Sequence, residues 1–210
     1  MIEPRIAVNN NWVLTEFNKE QLTPLLNKVD YIKQNFVSSP KYNHELAGNI
    51  EHEYEIEGMS DYITKLFNPA IRAHADNFPH LHQDMAVVLG KYQVILDRAW
   101  VNFQKKYEFN PVHRHSGIYS YVIWLDIPYS IEDEMARASS KDSNKNIPGH
   151  FQFLLNEQNG ITSINLPVDK TWNYKAALFP SWMNHCVYPF YTSDEYRVSV
   201  SGNFKYKIVT

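Results

Sequence analysis

The strongest constraint on how this chain folds is the texture of its second half. Short runs rich in β-branched and aromatic residues recur there at roughly ten-residue spacing, separated by turn formers, which is the pattern of a sandwich or barrel. The runs are Gly149 to Leu155, Ile161 to Leu166, Lys175 to Phe179, Cys186 to Phe190 and Tyr196 to Tyr206. Ahead of them Ala86-Val-Val-Leu-Gly90 is apolar, and Gln93 to Gln104 reads as one long strand or two short ones. A further run, opened by His113 and His115, reads as a buried strand ending near Ile127. The segment 129–149 between these runs is charged and rich in Ser, Asn and Lys, and it reads as a surface insertion; sequence alone does not separate a substrate lid from an idle loop.

The first part of the chain has a different period. Trp12 to Phe17 alternates well enough for a strand. Asn18 is placed to cap a helix over about 19–35, with Leu22, Leu25, Leu26 and Val29 at helical spacing and Pro24 in the tolerant first turns. A second helix fits about 60–77, with Ser60 as its cap and Pro69 predicting a break or kink. Residues 37–58 are polar and aperiodic. The expected architecture is therefore mainly β with flanking N-terminal helices, in a single domain: an elaboration over 1–85 and an all-β unit over 86–210.

Composition excludes several classes. A net charge of -3 over 210 residues leaves no electrostatic footprint for nucleic acid or an anionic membrane. Cys186 is the single cysteine, which rules out an intramolecular disulfide and favours a reducing compartment. Pro4, Arg5 and the Asn9-Asn-Asn11 run interrupt the apolar residues near Met1, and no run approaches the length of a membrane span. The expectation is a soluble, cytoplasmic protein.

The chemistry is carried by histidines. His113 and His115 flank one residue, so on an extended segment both imidazoles point to one side, and imidazole pairs suit iron, zinc or copper. His185, just past the Pro180-Ser181 turn and inside the next strand, is the candidate third ligand. Three protein ligands with open positions make a catalytic arrangement, whereas closed four-ligand sites are structural. Further on, Arg197, Ser199 and Ser201 alternate onto one face of a strand. A guanidinium turned inward needs an anion, and with a hydroxyl beside it the pair is suited to a carboxylate.

In order and spacing these residues resemble the iron(II)- and 2-oxoglutarate-dependent oxygenases. They are most similar to small, often phage-encoded members whose pattern runs Asn-Pro-His-x-His, a hydrophobic strand, Phe-Pro-Ser-x-x-x-His and Arg-x-Ser-x-Ser-x-Asn. Here these are Asn110 to His115, Phe179 to His185 and Arg197 to Asn203. The resemblance covers about 90–204. It implies a double-stranded β-helix (jelly roll, cupin-like), Fe(II) bound by His113, His115 and His185, and 2-oxoglutarate as cosubstrate. Arg197 and Ser199 would hold the cosubstrate's distal carboxylate, with Asn102 placed to contact it from the preceding strand. The implied reaction is hydroxylation of an unidentified substrate, a protein side chain or a small molecule, with release of succinate and CO2.

One departure from the wider superfamily stands out. His115 occupies the place usually held by aspartate or glutamate, so the ligand set is one negative charge short. A halogenase-like variant would make His115 the first ligand and Gly117 the replacement for the carboxylate, but it leaves His113 without a role. Trp124 and Tyr107 are candidate pocket residues. His80-Leu-His82 has no third ligand at suitable spacing and reads as structural or solvated, His150 competes weakly for the third position, and Cys186 alternates away from the metal. Arg197 has an ordinary reading too, pairing with Asp194 or Glu195. A cupin-like metal-binding module without oxygenase activity is the main alternative, and it gives an inward Arg197 no purpose. A zinc hydrolase is another, and it needs a carboxylate base that the sequence near the motif does not supply.

Overall fold

The computed structural model describes residues 5–8, 11–81, 90–158 and 160–209. Among the described residues, eleven strands form two antiparallel sheets. In chain order they are β1 (Arg5–Val8), β2 (Val13–Glu16), β3 (His52–Glu55), β4 (Tyr92–Gln104), β5 (Asn110–His113), β6 (Tyr119–Asp126), β7 (Phe151–Glu157), β8 (Gly160–Leu166), β9 (Lys175–Pro180), β10 (Asn184–Val187) and β11 (Arg197–Ile208). The larger sheet has the order β1-β2-β9-β6-β11-β4-β3, and the smaller β5-β10-β7-β8. The two sheets are those of a double-stranded β-helix, as the resemblance implied. The apolar run at Ala86 lies outside the described residues.

Two helices cover the outer face of the large sheet. Helix α1 (Lys19–Gln34) starts with a reciprocal cap: the Asn18 side chain accepts from the Gln21 backbone N–H at 2.8 Å, and the Gln21 side chain accepts from that of Asn18 at 2.9 Å. Its buried stripe is Leu22, Leu25, Val29 and Ile32, each contributing about 2 kcal/mol by leaving water. Helix α2 (Ser60–Asn77) runs through Pro69 without ending. Its buried face of Ile63, Phe67, Ala70 and Ile71 belongs to the same core, and that packing offsets the backbone bond that proline removes. The expected Ser60 cap is not formed: Ser60 is the first helical residue, and Met59 precedes it with no side-chain bond.

The large sheet is covered on both sides, which is why β6 reads as a continuous apolar run. Tyr121, Ile123 and Leu125 join the core under the helices, whereas Val122 and Trp124 join a second core shared with Phe151 and Phe153 of the small sheet. On β11 the same alternation sends Val198 and Val200 to the helix side. Arg197, Ser199 and Ser201 face a cavity between the sheets.

The run read as one strand from His113 to near Ile127 is instead two, β5 and β6, which lie in different sheets because the chain turns at Ser116 and Gly117, and two further segments gain definition. The aperiodic segment 37–58 contains β3, so the N-terminal part supplies three strands of the large sheet as well as its helices. The segment 129–149 lies mostly at the surface and is anchored to the body of the fold. It carries a short helix, α3 (Ile131–Ala136), whose buried Glu134 accepts hydrogen bonds from the backbone N–H groups of Tyr191 and Thr192 and from the Thr192 hydroxyl. Arg137 stacks on the Tyr191 ring at 3.8 Å. Among the described residues, no helix is long and apolar enough to cross a membrane.

Candidate metal centre

Three short pieces of chain converge at one end of the inter-sheet cavity. β5 is the edge strand of the small sheet, a place that tolerates Pro111. It pairs antiparallel with β10 so that His113 lies directly opposite His185, and directly opposed side chains in such a pair are neighbours. His115 lies just beyond the end of β5, where its backbone N–H donates to the Ser181 carbonyl at 2.9 Å. The Pro180-Ser-Trp-Met turn closes through Met183 N–H to the Pro180 carbonyl at 3.0 Å, which sets the start of β10 and hence His185. The ring centroids are 4.3 Å apart for His113 and His185, 4.8 Å for His113 and His115, and 5.1 Å for His115 and His185. One ligand atom from each lies within 4.8 Å of the others.

The tautomers are fixed by the backbone. Nδ1 of His113 is 2.7 Å from the Pro111 carbonyl, and Nδ1 of His185 is 2.9 Å from the Met183 carbonyl. A carbonyl only accepts, so each Nδ1 carries the proton and each Nε2 presents its lone pair. Burial also depresses the basicity of all three rings, taking His115 down to about 3 and lowering His113 and His185. The neighbouring histidines add to that effect for His115 and His185. Neutral imidazoles with a defined donor nitrogen fit a first-row divalent metal. The Phe151 ring stacks on His185 at 5.5 Å, and Trp100 packs against His115 at 5.6 Å, holding both orientations.

Gly117 has a packing reason of its own. Its φ is +101°, and a Cβ there would come within 2.6 Å of the Phe204 carbonyl oxygen. The position admits no carboxylate, and the ring of His115 is already in the trio. The serine and asparagine of the longer motifs brace the fold nearby: the Ser120 hydroxyl donates to Asn203 Oδ1 at 2.8 Å and can accept from the Ser181 hydroxyl 3.1 Å away.

On the opposite wall, Arg197 is 2 % exposed. Its Nη1 donates to the Tyr129 hydroxyl and to the Gly149 carbonyl, both at 3.0 Å. No carboxylate lies within ion-pair distance of it among the described residues; Asp194 pairs with Lys106 instead. Burial pulls the guanidinium downward from its usual range, so an anion in the cavity would relieve that cost. Ser199 is the cross-strand neighbour of Asn102, whose Nδ2 donates to the Ser199 hydroxyl at 3.3 Å. Asn102 Oδ1 and Trp124 Nε1, both from residues lining the cavity, are buried with no partner. A buried guanidinium without an anion and an orphaned Trp124 N–H donor in the same cavity fit a bound keto acid.

The remaining candidates fall outside this arrangement. His150 is absent from the trio and faces the Pro148 carbonyl through Nδ1 at 2.9 Å. Cys186 turns away, its Sγ 3.6 Å from Gln152 Oε1. Tyr107 does not line the cavity: it is 62 % exposed and packs on Tyr191. His82 lies outside the described residues. Sequence reasoning missed several cavity residues, and one of them is a buried acid. Glu53 on β3 is 1 % exposed and lines the same cavity.

A family model described as "Putative 2OG-Fe(II) oxygenase" matches residues 98–203, half of the chain. The chain belongs to this family. This oxygenase accordingly uses Fe(II) and 2-oxoglutarate, and the matched span contains the three histidines, Asn102, Arg197 and Ser199 but not Glu53. Its fold is similar to that of a prolyl-4-hydroxylase from Pseudomonas putida, with a TM-score of 0.52 at 12% identity over 93% of this chain and 92% of that one. It is also similar to a prolyl hydroxylase from Trichoplax adhaerens in complex with a hypoxia inducible factor peptide fragment (TM-score 0.51, 15% identity, 95% and 84% covered). The alpha ketoglutarate dependent epimerase SnoN from nogalamycin biosynthesis gives a TM-score of 0.54 at 12% identity, with 93% and 76% covered. No curated protein matches the sequence.

Proposed function

We propose that His113, His115 and His185 hold the Fe(II) of this oxygenase and that Arg197, with Ser199 and Asn102, holds the distal carboxylate of 2-oxoglutarate. The reaction we propose is hydroxylation of an organic substrate with release of succinate and CO2. The observation that carries this reading is one cavity with three convergent neutral imidazoles on one wall and a buried, anion-free guanidinium on the other. When bound, iron and 2-oxoglutarate supply the oxidising chemistry with dioxygen.

The chain's own residues do the rest. The two backbone-bound Nδ1 protons of His113 and His185 keep their Nε2 atoms available and correctly turned. Arg197, itself fixed by Tyr129 and Gly149, sets the depth at which a dicarboxylate sits. Phe151, Phe179 and Val187 line the wall and exclude water from the reacting end. We also take the chain as one domain, because β1, β2 and β3 extend the sheet that carries Arg197 and the helices share its core.

Anaerobic titration of the apo-protein with Fe(II) and then 2-oxoglutarate tests the assignment. A visible metal-to-ligand charge-transfer band is expected only with both present, and Arg197→Ala should weaken it. Metal binding without the band would favour the plain cupin-like module. Succinate formation with no oxygen gained by the substrate, read by mass, would overturn hydroxylation as the outcome.

A further inference from the structure

The cavity has a second buried charge for which the reaction so far has no use. In the register of the large sheet, Glu53 of β3 lies opposite Asn102 of β4, which in turn lies opposite Ser199 of β11. Directly opposed residues point to the same side of a sheet, so the Glu53 carboxyl joins the row that faces the cavity. It stands two strand spacings, about 10 Å, from β11 and its arginine.

The surroundings of Glu53 are all acceptors or neutral. Its one side-chain hydrogen bond comes from Asn43 Nδ2 to Oε2 at 3.3 Å. Oε1 has no protein partner, and no lysine or arginine pairs with the carboxyl among the described residues. Gly48 shows what faces that oxygen: a Cβ placed there would meet Asn110 Oδ1 at 2.6 Å and Glu53 Oε1 at 2.7 Å. Gly48 therefore packs closely over the side-chain ends of Asn110 and Glu53, and both of these residues line the cavity. The loop behind them is fastened, by Asn43 Nδ2 to the Ile50 carbonyl at 2.6 Å and by Asn49 N–H to the Phe109 carbonyl at 2.9 Å. Burial, reinforced by Glu108, pushes the carboxyl up to about 7. A buried carboxyl held without a cation costs stability, and a ligand cation removes the cost.

We propose that the Glu53 carboxylate recognises a cationic nitrogen, an ammonium or guanidinium, on the substrate of this oxygenase. The inference rests on the cavity being the oxygenase's substrate pocket. It divides the cavity by charge, with the donor end at Arg197 for the cosubstrate and the acceptor end at Glu53 for the substrate. The cationic group serves to orient, so the oxidised carbon lies elsewhere on the same molecule.

The test uses n-butylguanidinium and n-butylammonium as probes, with neutral pentanamide as the comparison, titrated calorimetrically into the full chain with and without Fe(II) and 2-oxoglutarate under nitrogen. Wild type should bind at least one cation about 10-fold or more tighter than the amide, and Glu53→Gln should abolish the preference. A wild type that prefers the amide, or binds neither cation, overturns the proposal without recourse to any variant. So does a Glu53→Gln protein that binds the cations unchanged. The charge-transfer band separates this from the ligand assignment. Glu53→Gln should keep the band, and a missing band with intact cation preference would sink the Arg197 and histidine roles while leaving Glu53 in place.

Discussion

Arg197 and Glu53 are two buried charges on one cavity, similar in burial and opposite in sign. They are 2 % and 1 % exposed, and neither has an ion-pair partner among the described residues. Each is held by neutral groups: the guanidinium by a phenol and a backbone carbonyl, the carboxyl by one side-chain amide. Their energetic answers differ. The guanidinium has no accessible neutral form and stays charged, so only an anion can satisfy it. The carboxyl escapes by keeping its proton to about 7. A cavity with a permanent cation at one end and a protonatable acid at the other is asymmetric before any ligand arrives.

The largest effect should come from the point both ends serve. His185→Ala removes a proposed ligand that is 4 % exposed and registered against His113, and metal affinity should fall by more than the roughly 100-fold typical of outer-shell changes. Arg197→Met and Glu53→Gln should leave metal affinity within a few-fold of wild type, measured by calorimetry with Fe(II). If either of them lost metal as completely as His185→Ala, the two ends would not be separable from the metal centre.

Arg197→Met keeps most of the side-chain volume and removes the charge. Losing one member of a buried, hydrogen-bonded charge pair costs about 2–5 kcal/mol, so 2-oxoglutarate affinity should drop about 100-fold, read from the charge-transfer titration. The Glu53 variant should show no such drop. Equal losses in both variants would mean that the cosubstrate spans the whole cavity and that the acceptor end is part of its site.

Glu53→Gln has a second signature that needs no ligand. Because the folded carboxyl is raised to about 7 while the unfolded one titrates near its ordinary value, the folded state holds the extra proton between roughly pH 4.5 and 7. Wild-type stability therefore loses this contribution as pH rises through that window, at about 1.4 kcal/mol per pH unit, on the order of 3 kcal/mol in all. Glutamine can accept from Asn43 and has no such dependence. The variant should match wild type near pH 4.5 and exceed it at pH 7.5, in thermal melts of apo-protein at both values. The groups whose charges bear on Glu53 are few: Glu108 raises its pKa and Asn43 is neutral. A constant difference across the window would show that Glu53 is ionised throughout. A gain in stability with a loss of cation binding is the pattern of a residue kept for function.

The two ends also differ in how far they could be read from sequence. Arg197 announces itself because it alternates with Ser199 and Ser201 on one face of a strand, a setting that outweighs its ordinary reading as a partner of Asp194 or Glu195. The trio was legible from His-x-His and the Phe-Pro-Ser turn, since both depend on local spacing. Glu53 gives no such sign. It sits in Glu51-His-Glu53-Tyr-Glu55-Ile-Glu57, where every second residue is a glutamate and the natural reading is a solvated face. Of the four only Glu53 is buried, because β3 pairs with β4 and the loop carrying Gly48 folds over that one position. That pairing joins residues about fifty apart, which no local pattern encodes. The tethering of 129–149 was hidden in the same way: Glu134 reads as one more surface acid until the Tyr191 and Thr192 amides reach it.

The smallest and most selective change is Gly48→Ala, which deletes no polar group. Its backbone is not in the left-handed region, so alanine carries no conformational penalty there, and the atoms nearest the new methyl are the side-chain ends of Asn110 and Glu53. Both oxygens must move by several tenths of an ångström to restore normal contact. Folding stability should change by less than about 1 kcal/mol, as for a surface substitution that meets no rigid neighbour. Metal and 2-oxoglutarate binding should be unchanged, because Arg197 lies two strands away. Cation binding should weaken several-fold, since charge-assisted hydrogen bonds depend steeply on the placement of their acceptor. An alanine variant with full cation affinity would show that recognition does not depend on the exact placement of the Glu53 carboxyl, and that its charge acts at longer range. Weaker 2-oxoglutarate binding in the same variant would instead place the cosubstrate against Gly48 and remove the division between the ends.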